Sequence, residues 1–206
     1  MLRSALKWNQ MKQLDKRFLI LIVAFFMTAV MGCQNYTPKP HGYPKIEFPE
    51  KTYKRFDDGC SYTFNIPTYA IVEKDTHLTS EPCWFNIKFP SFGATIYLTY
   101  KQLLNDKQID SLSDEAFKMA GEHRKKADAI DEKEIYIKRT DSHGVIFELK
   151  GPSATPFNFY LSDEKNHYVR GSFYFDNHTN IDSVAPVYAF LKEDMMNMIN
   201  SLEWAD

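Results

Sequence analysis

The chain has 206 residues, a net charge of −2 and 44% hydrophobic residues. That length suits one domain with short appendages and leaves enough chain for a sizeable core. The absence of a basic excess excludes a body built to grip nucleic acid.

Lys12, Lys16 and Arg17 precede an apolar run from Phe18 to Met31, which ends in Gly32-Cys33. Its 14 residues fall short of the roughly 20 that a membrane span needs. The run is apolar all round, so it lacks the stripe of a buried amphipathic helix. A basic start, a short apolar core and a small residue before a cysteine form the layout of a bacterial lipoprotein leader. Residues 1–32 therefore read as a signal peptide, starting at Met1 or Met11. Cys33 reads as the lipidated N-terminus of the mature chain, carrying acyl groups such as palmitate. The leader takes five of the 25 basic residues and one of the 27 acidic ones, so the remaining 174 residues carry a net −6. Anionic lipid repels such a body, and the acyl chains alone would hold it at the membrane.

Residues 33–52 read as a lipidated, proline-rich tether. Pro38, Pro40, Pro44 and Pro49 each fix φ and remove a donor, which makes the segment extended and stiff. Lys45 to Phe48 is expected to add a strand at a sheet edge. No acidic cluster follows Cys33, which favours the periplasmic leaflet and leaves outer and inner membrane open. Residues 53–206 read as a single periplasmic α+β domain.

Tyr62, Phe64 and Ile66 alternate with polar residues, a period of two that marks a half-buried strand, and Pro67 stops it. Ala70 to Glu73 is a second short strand. Phe85, Ile87 and Phe89 alternate next. Ala94, Ile96, Leu98 and Tyr100 follow the turn at Gly93 as the other half of a hairpin. Cys60 and Cys83 are an even pair in an exported chain, so a disulfide competes with two buried thiols, and the bridge is the preferred reading. Its loop of about 24 residues makes it worth on the order of 3 kcal/mol.

From Asn105 to Ala127, Leu112, Ala116, Met119, Ala120 and His123 recur at helical spacing. The cluster Arg124, Lys125 and Lys126 suits the last turn through the helix dipole. A second β block follows. Ile135 and Ile137 alternate briefly, and Ser142-His143-Gly144 reads as a turn. Val145 to Leu149, Phe157 to Leu161 and Val169 to Phe175 then form strands. Gly171 within the last one points to a bulge or a close neighbour. A closing helix runs from about Ser183 to Leu202, with Val184, Val187, Leu191, Met195, Met198 and Leu202 on one face. Strands, helix, strands, helix with short connections predict an α+β fold: one antiparallel sheet with two main helices packed on it.

The chemistry is sparse. The six histidines have no partners at ligand spacing, so no metal site is expected, and the isolated glycines make no phosphate cradle. No motif calls for a cofactor. Ser172, His167 and Asp163 would complete a hydrolase triad only without the nucleophile elbow, and catalysis is not expected. Trp84, beside Cys83, either packs the bridge in the core or anchors another protein. Arg170 either stacks over the rings of its aromatic strand or docks a partner, with Tyr174 beside it.

Six stretches carry a resemblance when taken in order. They are Tyr36-Thr37-Pro38-Lys39-Pro40-His41-Gly42-Tyr43, Glu81 to Ile87, Lys126 to Ile130, Phe159 to Asp163, Arg170 to Phe175 and Ser201-Leu202-Glu203-Trp204. Together they resemble the gliding-motility lipoprotein GldD family of the Bacteroidota, over the leader and the whole mature body. The resemblance implies a non-enzymatic role in gliding and in type IX secretion, through envelope proteins of that apparatus. It supplies no catalytic residue. Without it, the alternative is a periplasmic lipoprotein that binds a small ligand or polypeptide. Ser61 to Pro67, followed by an aromatic-rich sheet, is also similar to the opening of Mog1/PsbP-like α-β-α sandwiches, an analogy of pattern that implies no function.

Overall fold

A computed structural model describes residues 45–105, 107–122, 127–176 and 184–205, all within one unit, Tyr43–Asp206. The leader, Cys33, most of the tether and the Arg124-Lys125-Lys126 cluster lie outside the described residues.

The strands are β1 (Tyr53–Phe56), β2 (Tyr62–Pro67), β3 (Ile71–Lys74), β4 (Phe85–Phe89) and β5 (Ala94–Gln102). Then come helix α1 (Lys107–Glu122) and strands β6 (Ala129–Ile137), β7 (Ser142–Lys150), β8 (Phe157–Ser162) and β9 (His167–Phe175). Helix α2 (Ala185–Ser201) and the two-residue strand β10 (Glu203–Trp204) close the chain. Seven strands form one antiparallel sheet in the order β3-β4-β5-β9-β8-β7-β6. The fold is α+β, as the strand and helix pattern predicts. One feature differs from the expectation of a single sheet: β2 leaves the main sheet and pairs with β1 and β10 in a three-stranded sheet of its own.

Side-chain alternation divides the large sheet into two unlike faces. On one face Phe85, Ile96, Leu98, Ile146, Phe159, Val169 and Phe173 are buried with Leu191, Met195 and Ile199 of α2 and with Tyr62 and Phe64 of β2. This is the main core. On the other face Val145, Phe147, Leu149, Tyr160 and Tyr168 meet Ala116 and Ala120, the buried residues of α1. Two small side chains bring α1 close to the sheet but cover little of it. Phe117, which meets the Phe147 ring edge to face, and Met119 stay 41% and 39% exposed.

Local chemistry explains the boundaries. Gly93 adopts the left-handed conformation at φ 55° after the 3-10 turn Pro90–Phe92, which closes the β4–β5 hairpin. Pro186 stands in the first turn of α2, where its missing N–H costs nothing. The expected turn at Ser142-His143-Gly144 is instead strand, and residues 138–141 make the turn. Asp141 takes the left-handed position there, at φ 49°, which a short polar side chain tolerates. Gly144 stays in β7 because the Tyr160 carbonyl crosses where a Cβ would sit. Arg139, in that turn, donates to the Asn200 and Leu202 carbonyls at 3.1 Å and so satisfies the C-terminal end of α2.

Lys45 to Phe48 forms no strand. The prolines flanking it leave few donors for a ladder, and the segment docks by side chains instead. Ile46 packs on the main core, and the Phe48 ring stacks on Phe190 of α2 with centroids 4.5 Å apart.

Candidate functional site

Cys60 and Cys83 are joined by a disulfide, with Cα atoms 5.8 Å apart. It ties the entry to β2 to the entry to β4. The Tyr62 hydroxyl donates to the Cys83 carbonyl at 2.6 Å. Trp84 packs against the main core, and its indole N–H donates to the Tyr100 carbonyl at 2.8 Å. Its half-covered ring lies under Lys101, whose Nζ is 5.4 Å from the centroid.

Arg170 and Tyr174 share the α1 face of β9, because they are an even number of residues apart. Phe173 and Phe175 point to the other face, so Arg170 is not stacked on them. It reaches α1 instead, donating to Glu115 Oε1 at 3.1 Å and lying 2.8 Å from the Met119 sulfur, with its side chain 21% exposed. Arg170 is therefore a strut between helix and sheet. Tyr174 meets Tyr97 edge to face, with centroids 5.5 Å apart, and burial raises its phenol pKa. Beyond this pair, among the described residues, no helix covers the strands β5, β4 and β3 on this face, and Tyr97 is 41% exposed.

The triad does not assemble. Ser172 lies on the α1 face of β9, and His167, five residues away, lies on the other. His167 Nδ1 is 2.9 Å from the Tyr100 hydroxyl, and its ring stacks on Trp204 at 5.1 Å. The Asp163 carboxylate accepts the backbone N–H groups of Lys165, Asn166 and His167. Burial raises this carboxyl's pKa, but the three bonds outweigh burial and hold it below the usual range. Among the described residues no cluster of three histidine, cysteine or carboxylate side chains is placed to hold a metal.

Sequence reading missed two places. One is Asp194 on the buried side of α2, with only 1% of its side chain exposed. Lys51 Nζ and the Tyr53 hydroxyl both donate to its Oδ1 at 2.8 Å, and the Tyr69 hydroxyl donates to Oδ2. Lys51 also donates to the Phe190 carbonyl at 2.7 Å and sits 3.9 Å over the Phe190 ring. The end of the tether is thus latched to the body. Beside the latch, Phe48, Tyr69 and Phe92 line an open recess of about 620 Å³. The signal was available: Asp194 falls three residues after Leu191 and four before Met198, on the apolar stripe itself.

The other is a recess of about 430 Å³ on the α1 face, where β6 meets β7. The Tyr136 and His143 rings stand side by side on the two strands, 4.6 Å apart. Glu134 and Glu164 bring carboxylates to it, and Ile109 and Ser113 of α1 overhang it. This grouping depends on strand register, which no spacing in the sequence reveals.

Among solved structures, the chain is similar to cyanobacterial PsbP (CyanoP) from Synechocystis at 11% identity. The match covers 81% of this chain and 99% of that one, with a TM-score of 0.46. No curated protein matches. The family model described as gliding motility lipoprotein GldD matches residues 33–204, from Cys33 to the last described strand, and the chain belongs to that family.

Proposed function

We propose that this chain is a lipid-anchored, non-enzymatic accessory of the gliding-motility and type IX secretion machinery. It is held at the periplasm-facing surface of a membrane through Cys33 and works by protein–protein contact. The observation that carries the reading is the family match, which begins at Cys33 itself. A cysteine directly after a short apolar leader is where lipid attachment belongs. The Cys60–Cys83 bridge suits the oxidising compartment that such a leader reaches.

The mechanism is tethering. A leash of fixed length keeps the body near envelope partners and raises their effective concentration. The faces open for contact are the half-covered side of the large sheet and the recess beside β6. The main core between sheet and α2 is filled by side chains that are almost wholly buried. That favours a polypeptide at the surface over a small ligand enclosed between the layers.

Deleting the gene tests the role, with colony spreading and export of type IX cargo as readouts. Loss of both is expected. Wild-type chain restores them, and Cys33→Ala at equal abundance does not. Normal spreading and export in the deletion strain overturn the reading. So does mass spectrometry that finds the native chain unacylated with its leader attached.

A further inference from the structure

β6 is the outermost strand of the large sheet and, among the described residues, pairs only with β7. It is nine residues long, and none of its side chains is fully buried. Alternate residues of such a strand point N–H and C=O groups away from their neighbour, which leaves a row of unused donors and acceptors. The opposite edge, β3, offers only four residues.

The recess of about 430 Å³ is lined on this side by Glu134, Ile135 and Tyr136 of β6. A strand added beside β6 would direct every second side chain to the α1 face, next to Glu134 and Tyr136. The recess carries Glu134 and Glu164, and among the described residues no lysine or arginine lines it. Lys165, next to Glu164 in sequence, lies 3.7 Å from Asp141. Lys133 is on the opposite face from Glu134, one residue away on a strand of period two. Tyr136 is 53% exposed and presents a ring of the type that anchors interfaces and attracts cations. Charges along an edge strand also discourage random pairing, but that task requires no recess.

We propose that β6 and this recess form a docking site for an extended segment of a partner protein that carries an arginine or lysine. The segment adds as an eighth strand along β6 and seats its cation in the recess, against Tyr136 and between the carboxylates of Glu134 and Glu164. Main-chain bonds supply affinity, and the cation supplies register and choice of partner. This names the partner chemistry for the contact role above and rests on that role. A failed peptide experiment leaves the anchoring and the motility phenotype untouched, and a failed deletion experiment leaves the peptide site standing.

The test uses the full chain purified in detergent and a synthetic octapeptide, Thr-Val-Thr-Arg-Thr-Val-Thr-Val, titrated by calorimetry. Saturable binding is expected. Glu134→Gln combined with Glu164→Gln should weaken it about tenfold or more without changing the circular dichroism. Replacing the peptide's arginine with glutamate should abolish binding. N-methylating one alternate set of the peptide's amides should also abolish it, while methylating the other set should not. The proposal fails if the peptide does not bind at about a millimolar, or if the glutamate version binds equally well. It fails if the double Gln variant binds unchanged, or if both methylated sets bind. Arginine amide binding as tightly as the peptide would mean a small-cation site and overturn it. A dimer formed through β6 in the absence of peptide would give the edge to a second copy and overturn it too.

Discussion

Asp194 shows how one charged side chain can organise a body otherwise assembled from aromatic and aliphatic contacts. It is buried on α2, and three donors from Lys51, Tyr53 and Tyr69 converge on it. A buried carboxylate is costly unless its lone pairs are met, and here all the partners come from the segment between the tether and β3. Asp194→Ala leaves two phenols without an acceptor and Lys51 with the Phe190 carbonyl and the more distant Glu193 carboxylate. It should cost about 2–3 kcal/mol, less than a fully enclosed pair because Lys51 is partly in water. Urea unfolding would read this as a lower midpoint at unchanged slope. Lys51→Met should cost less, because the two tyrosines still donate. At Arg170 the sequence offered rings as the nearest partners. Strand alternation sent those rings to the opposite face and left Glu115 and Met119 of α1 as the partners.

The strands legible in the sequence were those with one face in the main core. β2, β4, β5, β8 and β9 alternate in sequence because their apolar residues at every second position enter the main core, and β7 was found through Val145, Phe147 and Leu149 in the second cluster. β6 was read as a short pair of isoleucines because its middle, Asp131 to Glu134, is exposed on both faces. An outer strand with charged flanks leaves no alternation to find. β1 and β10 were missed for a related reason: they exist through their pairing with β2, and neither buries enough of its own surface to leave a pattern. Gly171 was legible as a site of close approach. The Phe159 ring, directly across on β8, lies where a Cβ would be, with its edge 2.2 Å from that position. Phe159 is itself buried, so the ring has little room to yield. Gly171→Ala should destabilise the protein by about 1–3 kcal/mol, seen as a drop in melting temperature. Gly121→Ala, with open space around it, is the matched control and should not destabilise.

The layering of the whole molecule follows from amphipathic periods, and the stripe of α2 pointed to it directly. What stayed hidden was the separation of β2 into its own small sheet, and the recess formed where α1 and the β6–β7 hairpin meet. Both depend on contacts between residues far apart in the chain. Aromatic packing also gives the molecule a collective response to alkali. Burial, then the bond to Asp194, pushes the Tyr53 phenol up to about 12. Tyr69 is raised by burial and by the same carboxylate, and Tyr62, Tyr168 and Tyr188 are raised chiefly by burial. In the unfolded chain these phenols lose their protons near pH 10. The folded state holds them longer, so above that pH the unfolded state binds fewer protons and stability falls as pH rises. The contribution is whole below about pH 10 and drains between roughly 10 and 12 for Tyr53, and further up for the others. Denaturation midpoints measured at steps across this range should fall steadily, with tyrosinate absorbance appearing together with unfolding. A flat profile would contradict the buried phenols.

The latch at Lys51 also determines how a pull on the leash is felt. Tension on the anchor proposed at Cys33 would meet the Phe48–Phe190 stack first and the Lys51–Asp194 pair next. Phe190 and Asp194 both stand on α2, so strain would be handed to that helix before it could peel β1 from β2. The 11 residues between Cys33 and Lys45 could span at most roughly 40 Å at full stretch. With Cys33 as the proposed anchor, the protein would act as a short link between a lipid surface and its partners.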